Sequence, residues 1–323
     1  MSDIHLRGLR LPEEYAPLAD LLSASNPEWP VNAELLQHEQ EHRDPALFFT
    51  ERVAERNGQL VAVMGVGHDD FAYEPWRYWG NLQVHPEARN GGVGSALYAE
   101  FLKILRARGA REVRTMLSET DAPGLRFLQA RGWQETWRRH EFRLDTGAAD
   151  LSALPDLGGL RLEPLDSLGR DPQWSERLYE LDWLLFQDIP MGQALTKRAL
   201  DTWLAEELHG PSVRLGLSFA LVDDAMSDPH AGPYVGYTTL GQSPGGFYYI
   251  GMTGVRREYR RKGLARALKL ASMQALQAAG GGEIRTFNDP PNVAMIAMNR
   301  SLGFVPQPDR VRYELKLEEG AGS

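Results

Sequence analysis

The 323-residue sequence contains no cysteine. That excludes disulfides, cysteine-ligated zinc, iron–sulfur clusters and thiol nucleophiles together. No apolar run approaches the roughly 20 residues that a membrane-spanning helix needs. The opening Met1-Ser2-Asp3-Ile4-His5 has neither the basic cluster nor the apolar stretch of a signal peptide. A basic surplus is missing as well. The net charge is −9, so the cationic surface used by nucleic-acid binders is not expected. These absences predict a cytoplasmic chain without nucleic-acid or membrane partners. The acidic excess reads first as a solubility feature and second as a weak attraction for cationic amines.

What is present is a repeat. The length suggests two domains, and a hydrophobic fraction of 42% with 9% aromatics suits domains with real cores. Arg89-Asn90-Gly91-Gly92-Val93-Gly94 and Arg260-Arg261-Lys262-Gly263-Leu264-Ala265 both fit Arg-x-x-Gly-x-(Gly/Ala), 171 positions apart. Ala130-Arg131-Gly132-Trp133 and Ser301-Leu302-Gly303-Phe304 match at the same offset of 171. Two matches in one register indicate duplication.

The surroundings repeat too. An aromatic and β-branched run precedes each glycine motif, from Tyr78 to Val84 and from Phe247 to Val255, and predicts a strand. An amphipathic helix follows, with Val93, Leu97, Phe101, Ile104 and Leu105 on one face in the first copy and Leu264, Leu268, Met273 and Leu276 in the second. Each helix stops near glycine, at Gly109 and at Gly280-Gly281-Gly282. Further strands (112–117, 283–287) and helices (122–130, 292–302) are expected, then a final strand pair closing each half near Leu144 and Leu317. The Gly-, Ala-, Asp- and Pro-rich stretch 147–159 reads as a linker between halves 1–146 and 160–318. Residues 223–232 read as an exposed hairpin loop, and Gly320-Ala321-Gly322-Ser323 as a frayed end.

Strand, glycine turn and helix together make an anion site. The first helical turn offers unpaired N–H groups and the positive end of the dipole, and glycine lets a phosphate approach the backbone. Gly92, Gly94, Gly263 and the small Ala265 occupy the close positions, with Arg89, Arg260, Arg261 and Lys262 beside them. A P-loop would need Gly-Lys-Ser/Thr, which neither copy has. A dinucleotide fingerprint would need a third glycine where Leu97 and Leu268 stand.

What remains resembles the coenzyme A pyrophosphate loop of the GNAT acetyltransferases, in two copies covering nearly the whole chain. The second copy is the closer match: Thr253 to Ala265 resembles the family's fourth strand and loop, and Thr286, Asn288, Asn292, Met295, Asn299 and Leu302-Gly303-Phe304 resemble its fifth strand and following helix. The first copy has Asp121 and Arg131 where the second has Asn292 and Leu302. The resemblance implies an α/β (α+β) protein of two tandem GNAT folds, each a mixed, mostly antiparallel sheet flanked by helices. It implies acetyl-coenzyme A as cosubstrate, bound at Val84, Arg89, Asn90, Gly91, Gly92, Val93, Gly94 and Ser95 in one half. In the other half it implies Val255, Arg260, Arg261, Lys262, Gly263, Leu264, Ala265, Arg266, Asn288 and Asn292. No metal is implied. The oligomeric state expected is monomer or homodimer.

The implied reaction is acetyl transfer to a small amine, with the second half as catalyst. Two alternatives accompany it: a non-catalytic acyl-coenzyme A sensor or scaffold, and acetylation of protein lysines or N-termini. In many family members a tyrosine after the fifth strand is the acid; the matching positions here are Asn299 and Leu128. Tyr248 or Tyr249 are candidate substitutes, Asp70 and Glu74 candidate bases in the first half, and Asp182 and Asp188 in the second. Asn288 and Asn292 suit the peptide-like arm of coenzyme A, with helix capping the competing role for Asn292. His38-Glu39-Gln40-Glu41-His42 fits a zinc-helix pattern, but its wholly polar surroundings read as a solvated helix face. Phe71, Tyr73, Trp76, Tyr78 and Trp79 are read as pocket or core in equal measure, and Trp174, Trp183 and Trp203 as core or interface. Segments 12–45 and 173–210 are expected to set acceptor specificity.

Overall fold

Gln59-Leu60-Val61-Ala62-Val63-Met64 contains β-branched residues and no turn former after the Asn57-Gly58 pair, both at positive φ. The turn closes a hairpin of two strands, β2 (Phe49–Arg56) and β3 (Gln59–Gly67). In the computed structural model, which describes residues 4–151 and 154–317, this hairpin belongs to the first of two compact units. The first unit comprises Met1–Arg138, Gln193–Thr196 and Pro308–Ser323, the second Arg139–Gly192 and Lys197–Gln307.

In the first unit β1 (His5–Arg7) precedes two helices, α1 (Tyr15–Ser25) and α2 (Ala33–His42). After the hairpin come β4 (Arg77–Val84), α3 (Val93–Ala107), β5 (Glu112–Ser118) and α4 (Ala122–Gln129). Next is a long strand, β6 (Gln134–Asp145), which leaves this unit at Arg138. The second unit has β7 (Arg161–Pro164), α5 (Trp174–Phe186), α6 (Leu200–Glu207), β8 (Phe219–Val222), β9 (Tyr234–Gln242) and β10 (Tyr248–Val255). It continues with α7 (Leu264–Ala278), β11 (Glu283–Asn288), α8 (Val293–Ser301) and β12 (Val305–Pro306), and the chain then returns to the first unit as β13 (Arg310–Lys316).

Each unit carries a mixed, mostly antiparallel sheet flanked by helices. The order is β1-β2-β3-β4-β5-β13 in the first and β7-β8-β9-β10-β11-β6 in the second, where β12 also pairs with β6. One pair per unit is parallel, β4 with β5 and β10 with β11. The expectation that each half closes on its own final strands is corrected here. β13 pairs with β5 of the first unit and β6 with β11 of the second, so the units depart from halves 1–146 and 160–318 at their closing strands. The reason is chemical equivalence. Phe142 and Leu144 of β6, and Val311 and Tyr313 of β13, present the same apolar period-2 face, and each enters the core of the unit it pairs with. The first unit also takes in residues 193–196, where Thr196 N–H donates to Phe71 O at 2.8 Å.

The predicted helices α3 and α7 are each 15 residues long. Val93, Leu97, Phe101 and Leu105, at i, i+4 spacing, face the first core with Met64, Tyr78 and Trp133. Tyr78 is thus core, and Trp203 is core in the second unit. Helix α2 has no buried residue; among the described residues no group of three or more metal-ligating side chains is gathered, and no helix is long and apolar enough to cross a membrane. Residues 223–232 join β8 to β9 as expected, while Glu318 and the Gly320–Ser323 tail lie outside the described residues.

The packing of β9 on β10 yields a stability prediction. A Cβ at Gly236 would lie 2.8 Å from the backbone oxygen of Gly254 and 3.3 Å from Val255 Cα. A carbonyl fixed in a strand pair cannot rotate away, so Gly236→Ala should cost about 1–3 kcal/mol. An unchanged midpoint in urea unfolding would refute this.

Candidate active site

The two parallel pairs part company. β4 pairs with β5 only at Arg77–Glu112, Tyr78–Val113 and Trp79–Arg114, yet it stays on β3 as far as Val84 while β5 stays on β13 as far as Ser118. β10 pairs with β11 only at Tyr248–Ile284 and Tyr249–Arg285, then follows β9 to Val255, while β11 follows β6 to Asn288. Each unit therefore holds a V-shaped split along which neither strand satisfies the other, leaving ladder groups for an extended ligand. The splits differ. β10 has a register shift between Ile250 and Thr253, whereas the ladder of β4 on β3 runs without one. At the irregularity, Met252 N–H donates to Thr239 Oγ1 (2.9 Å), and Thr238 Oγ1 donates to Met252 O (3.0 Å).

At the wide end of each split lies a glycine loop, and the two loops share a backbone. Asn90 and Arg261 have φ of 62° and 63°, and Gly92 and Gly263 cap their helices at 80° and 77°. Neither cap has a side-chain hydrogen bond, so the first-turn N–H groups of α3 and α7 are left for a ligand. A Cβ at Gly94 would stand 3.4 Å from Val84 Cγ2, which explains why this position, like that of Ala265, stays small. Arg89 Nε donates to Val84 O (3.2 Å) and Arg260 Nε to Val255 O (2.9 Å). Both arginines thus tie the loop to the end of its strand. Arg131 bonds Ser95 Oγ and Arg266 bonds Ser301 Oγ, each at 3.0 Å, joining α3 to α4 and α7 to α8.

The charges around the loops differ. Beside the first, the Arg56 guanidinium lies 3.2 Å from where a Gly91 Cβ would be, and no carboxylate among the described residues pairs with it. Beside the second, Asp188 takes both Arg257 and Arg260, and the two guanidinium groups hold its carboxyl below the usual range. Tyr259 donates to Asp223 (2.6 Å). Lys262 lies over the Tyr259 ring and lines a cavity of about 610 Å³ with Asp156, Leu157 and Leu264.

Of the proposed chemical groups, Tyr248 and Tyr249 stand where β10 and β11 still pair, at the closed end of the split. Glu74 is 3.9 Å from Arg77 before β4. Asn299 is fully buried; its amide lies between Lys269 Nζ and Asn288 Oδ1, both at 2.6 Å. Asn292 precedes α8, but its side chain makes no cap hydrogen bond, unlike Asp121, which accepts from Gly124 N–H at 3.1 Å. The capping role weighed for Asn292 is thus not taken up.

α6 brings a carboxylate to the irregularity, and α5 brings another to Tyr237 of β9. Glu207 Oε2 lies 3.7 Å from the Cβ position of Gly251, while Glu207 Oε1 accepts from Arg198 at 2.8 Å. Asp182 accepts from Trp203 Nε1 (2.9 Å) and from the buried Tyr237 hydroxyl. Burial pushes its carboxyl up to about 6, against the opposing effect of the Tyr237 hydrogen bond. Leu185, one turn after Asp182 on α5, sits 2.8 Å from the Cβ position of Gly254, which places this face of the helix against the open part of β10. Sequence reasoning missed Glu207, Lys269 and Tyr237. For Lys269 a signal exists, since Tyr98, a half-buried aromatic packed against the first core, occupies the same place in the repeat, and a lysine aligned with it is out of character.

The profile described as the Acetyltransferase (GNAT) family matches residues 15–133 and again 176–304. A mycothiol acetyltransferase of Thermobispora bispora is 30% identical over 232 residues, 70% of this chain and 72% of that protein. Another, from Pseudarthrobacter chlorophenolicus, is 27% identical over 231 residues, 69% of this chain and 65% of that protein. Among solved structures, a tandem GNAT protein from the clavulanic acid biosynthesis pathway has the same fold, with a TM-score of 0.76 over 99% of this chain and 100% of that one at 21% identity. Two matched segments, two split sheets and two glycine loops make this chain a tandem member of the GNAT acetyltransferase family, an acetyl-coenzyme A-dependent N-acetyltransferase.

Proposed function

We propose that the second unit transfers the acetyl group of acetyl-coenzyme A to a small amine, drawn in as its cation by Asp182 and Glu207. The observation that carries this reading is the juxtaposition, in one unit, of a split sheet, an irregular β10, Glu207 beside that irregularity and Asp182 bonded to Tyr237 of the adjoining β9. The diphosphate lies on the first turn of α7, and the pantetheine arm runs into the split between β10 and β11. The amine enters from the α5–α6 side. Its ammonium loses a proton to the carboxylate pair, its nitrogen attacks the thioester carbon, the nitrogen of the tetrahedral intermediate gives up its second proton to solvent, and the carbon–sulfur bond breaks. The coenzyme leaves as a thiolate that solvent protonates. In the first unit β4 runs regularly, and its loop with the unpaired Arg56 suits coenzyme binding without demanding turnover. Each sequence half, 1–146 and 160–318, contributes one such loop.

A second reading, a non-catalytic acyl-coenzyme A sensor, draws on the position of Asn299, buried where many relatives carry an acid tyrosine. Turnover separates the two. The chain is incubated with acetyl-coenzyme A and a panel of primary amines that includes mycothiol-type acceptors, because relatives carry that name. Mass spectrometry is expected to show an acetylated amine. Acetyl-coenzyme A binding with no acetylated product from any amine would favour the sensor.

A further inference from the structure

Lys269 is 1% exposed and lies on α7 between α8 and β11. Among the described residues it has no carboxylate partner; Nζ donates to Asn299 Oδ1 at 2.6 Å and stands 5.5 Å from the centre of the Phe304 ring. Asn299 Nδ2 in turn donates to Asn288 Oδ1 at 2.6 Å. A buried lysine desolvated in this way has its amine pushed down to about 7. Such a group is expensive to keep in a core, and the first half shows that the fold does not require it. There Tyr98, Leu128 and Leu117 stand at the three matching places, 171 positions earlier, and Tyr98 accepts from Trp133 Nε1 instead.

The chain of three groups has a fixed direction. An asparagine amide offers a carbonyl on one side and an N–H₂ on the other, and either orientation fits the same shape. The lysine removes that freedom. Its N–H turns the Asn299 carbonyl toward α7, so the Asn299 N–H₂ must face Asn288 and meet its carbonyl. The Asn288 N–H₂ is then left over, and it has no partner among the described residues. Asn288 ends β11, three residues beyond Arg285, the last β10 partner. It therefore stands where the split is open.

We propose that Lys269 is a positioning residue: acting through Asn299, it orients the Asn288 amide so that a hydrogen-bond donor faces the open split and receives a carbonyl oxygen of the coenzyme's pantetheine arm. This rests on the acetyl-coenzyme A reading of the second unit and adds the group that polarises that site. Without Lys269, both asparagines can turn over, and Asn288 presents donor or acceptor without preference. An acceptor facing a carbonyl repels it.

The test uses the full chain carrying Gly92→Glu, which confines binding to the second loop, with acetyl-coenzyme A titrated by calorimetry. In that parent, Asn288→Leu should weaken binding about three- to tenfold, the range of one neutral hydrogen bond. Lys269→Met should weaken it by a similar factor, and Lys269→Met combined with Asn288→Leu should be no weaker than Asn288→Leu alone. A purely structural lysine would instead give additive losses. Lys269→Met leaves a buried carbonyl unpaired, so Lys269→Met/Asn299→Leu, which places apolar groups at both positions, serves as a second variant and should bind as Lys269→Met does. If Asn288→Leu binds as the parent does, or if it weakens binding while both lysine variants bind normally, the proposal is overturned. A Gly92→Glu parent that does not bind, beside a wild type that does, overturns it together with the assignment of catalysis to the second unit, and leaves only the family membership standing. A wild type that binds no acetyl-coenzyme A removes both.

Discussion

Gly263→Glu is expected to lower the affinity of the second loop for acetyl-coenzyme A by at least about a hundredfold, and Gly92→Glu should do the same at the first. Two penalties combine. Both glycines hold left-handed φ, 77° and 80°, where a side chain costs on the order of 1–2 kcal/mol. The larger effect is the carboxylate, placed at the start of α7 or α3 where the diphosphate is proposed to meet the helix N–H groups. Two unit charges about 4 Å apart repel by roughly 4 kcal/mol at an effective dielectric near 20. Gly263→Ala separates the terms, since it keeps the backbone penalty without the charge, and should lose only severalfold. The nearest side-chain atom to a Cβ at Gly263 is Pro155 Cβ at 3.6 Å, and nothing lies within 4 Å at Gly92, so neither effect comes from a clash. Calorimetric titration of wild type and both variants reads the result directly. The wild type should show two sites, and each glutamate should remove one. Retention of both sites in either variant would take the diphosphate away from these loops.

The second large effect concerns Asp182. Burial raises its carboxyl to about 6, whereas the unfolded chain releases that proton near 3.8. Between those values the folded protein binds a proton that the unfolded protein does not. Stability from this group is therefore greatest at low pH and declines as pH rises toward 6, by about 3 kcal/mol over the window. Asp182→Asn mimics the protonated form: its amide can accept from Trp203 and donate to the Tyr237 oxygen. Wild type and Asp182→Asn should have similar stability near pH 4. Above pH 6 the variant should be the more stable, by about 3 kcal/mol. Parallel pH profiles from denaturant titrations would refute the assignment. In the proposed chemistry the same proton counts in the opposite sense. Only the ionised Asp182 attracts and deprotonates the amine, so turnover should climb through pH 6 while stability falls.

Both effects centre on residues that the sequence exposes unequally. The glycine loops were legible because their requirement is local. Arg-x-x-Gly-x-(Gly/Ala) after an aromatic strand and before an apolar helix face fixes turn and helix within about fifteen residues, and α3 and α7 follow it. The closing strands were not legible. β6 and β13 carry equivalent alternating faces, and nothing in an alternating face names the sheet edge that it will complete. The register shift of β10 was equally hidden, because Gly251-Met252 reads like any other strand dipeptide and its support comes from hydroxyls of Thr238 and Thr239 on β9.

Lys269 shows a different limit. Its neighbours Leu268, Leu270 and Met273 suggest a helix buried on more than one side, but a lone lysine in such a run is ordinarily assigned to solvent. Only the superposed repeat, with Tyr98 at its place, marks it as interior. Asp182 was among the candidate bases, but Glu207 was obscured because the segment that carries both has no counterpart motif. Their meaning comes from contact with Gly251 and Tyr237, residues that lie 44 and 55 positions further along the chain. Arg89 and Arg260 illustrate the converse. Their conspicuous place in the motif suggests free cations for phosphate, while each spends its Nε on the last carbonyl of its own strand.

In the proposed reaction it is the second loop that serves chemistry. The measurement that addresses it most directly is acetylated amine formed per minute by the wild type, Gly92→Glu and Gly263→Glu at saturating amine. Gly92→Glu should keep most of the wild-type rate while Gly263→Glu loses at least about 99% of it, in line with the charge repulsion above. Loss of turnover with Gly92→Glu alone would contradict it and move catalysis to the first unit.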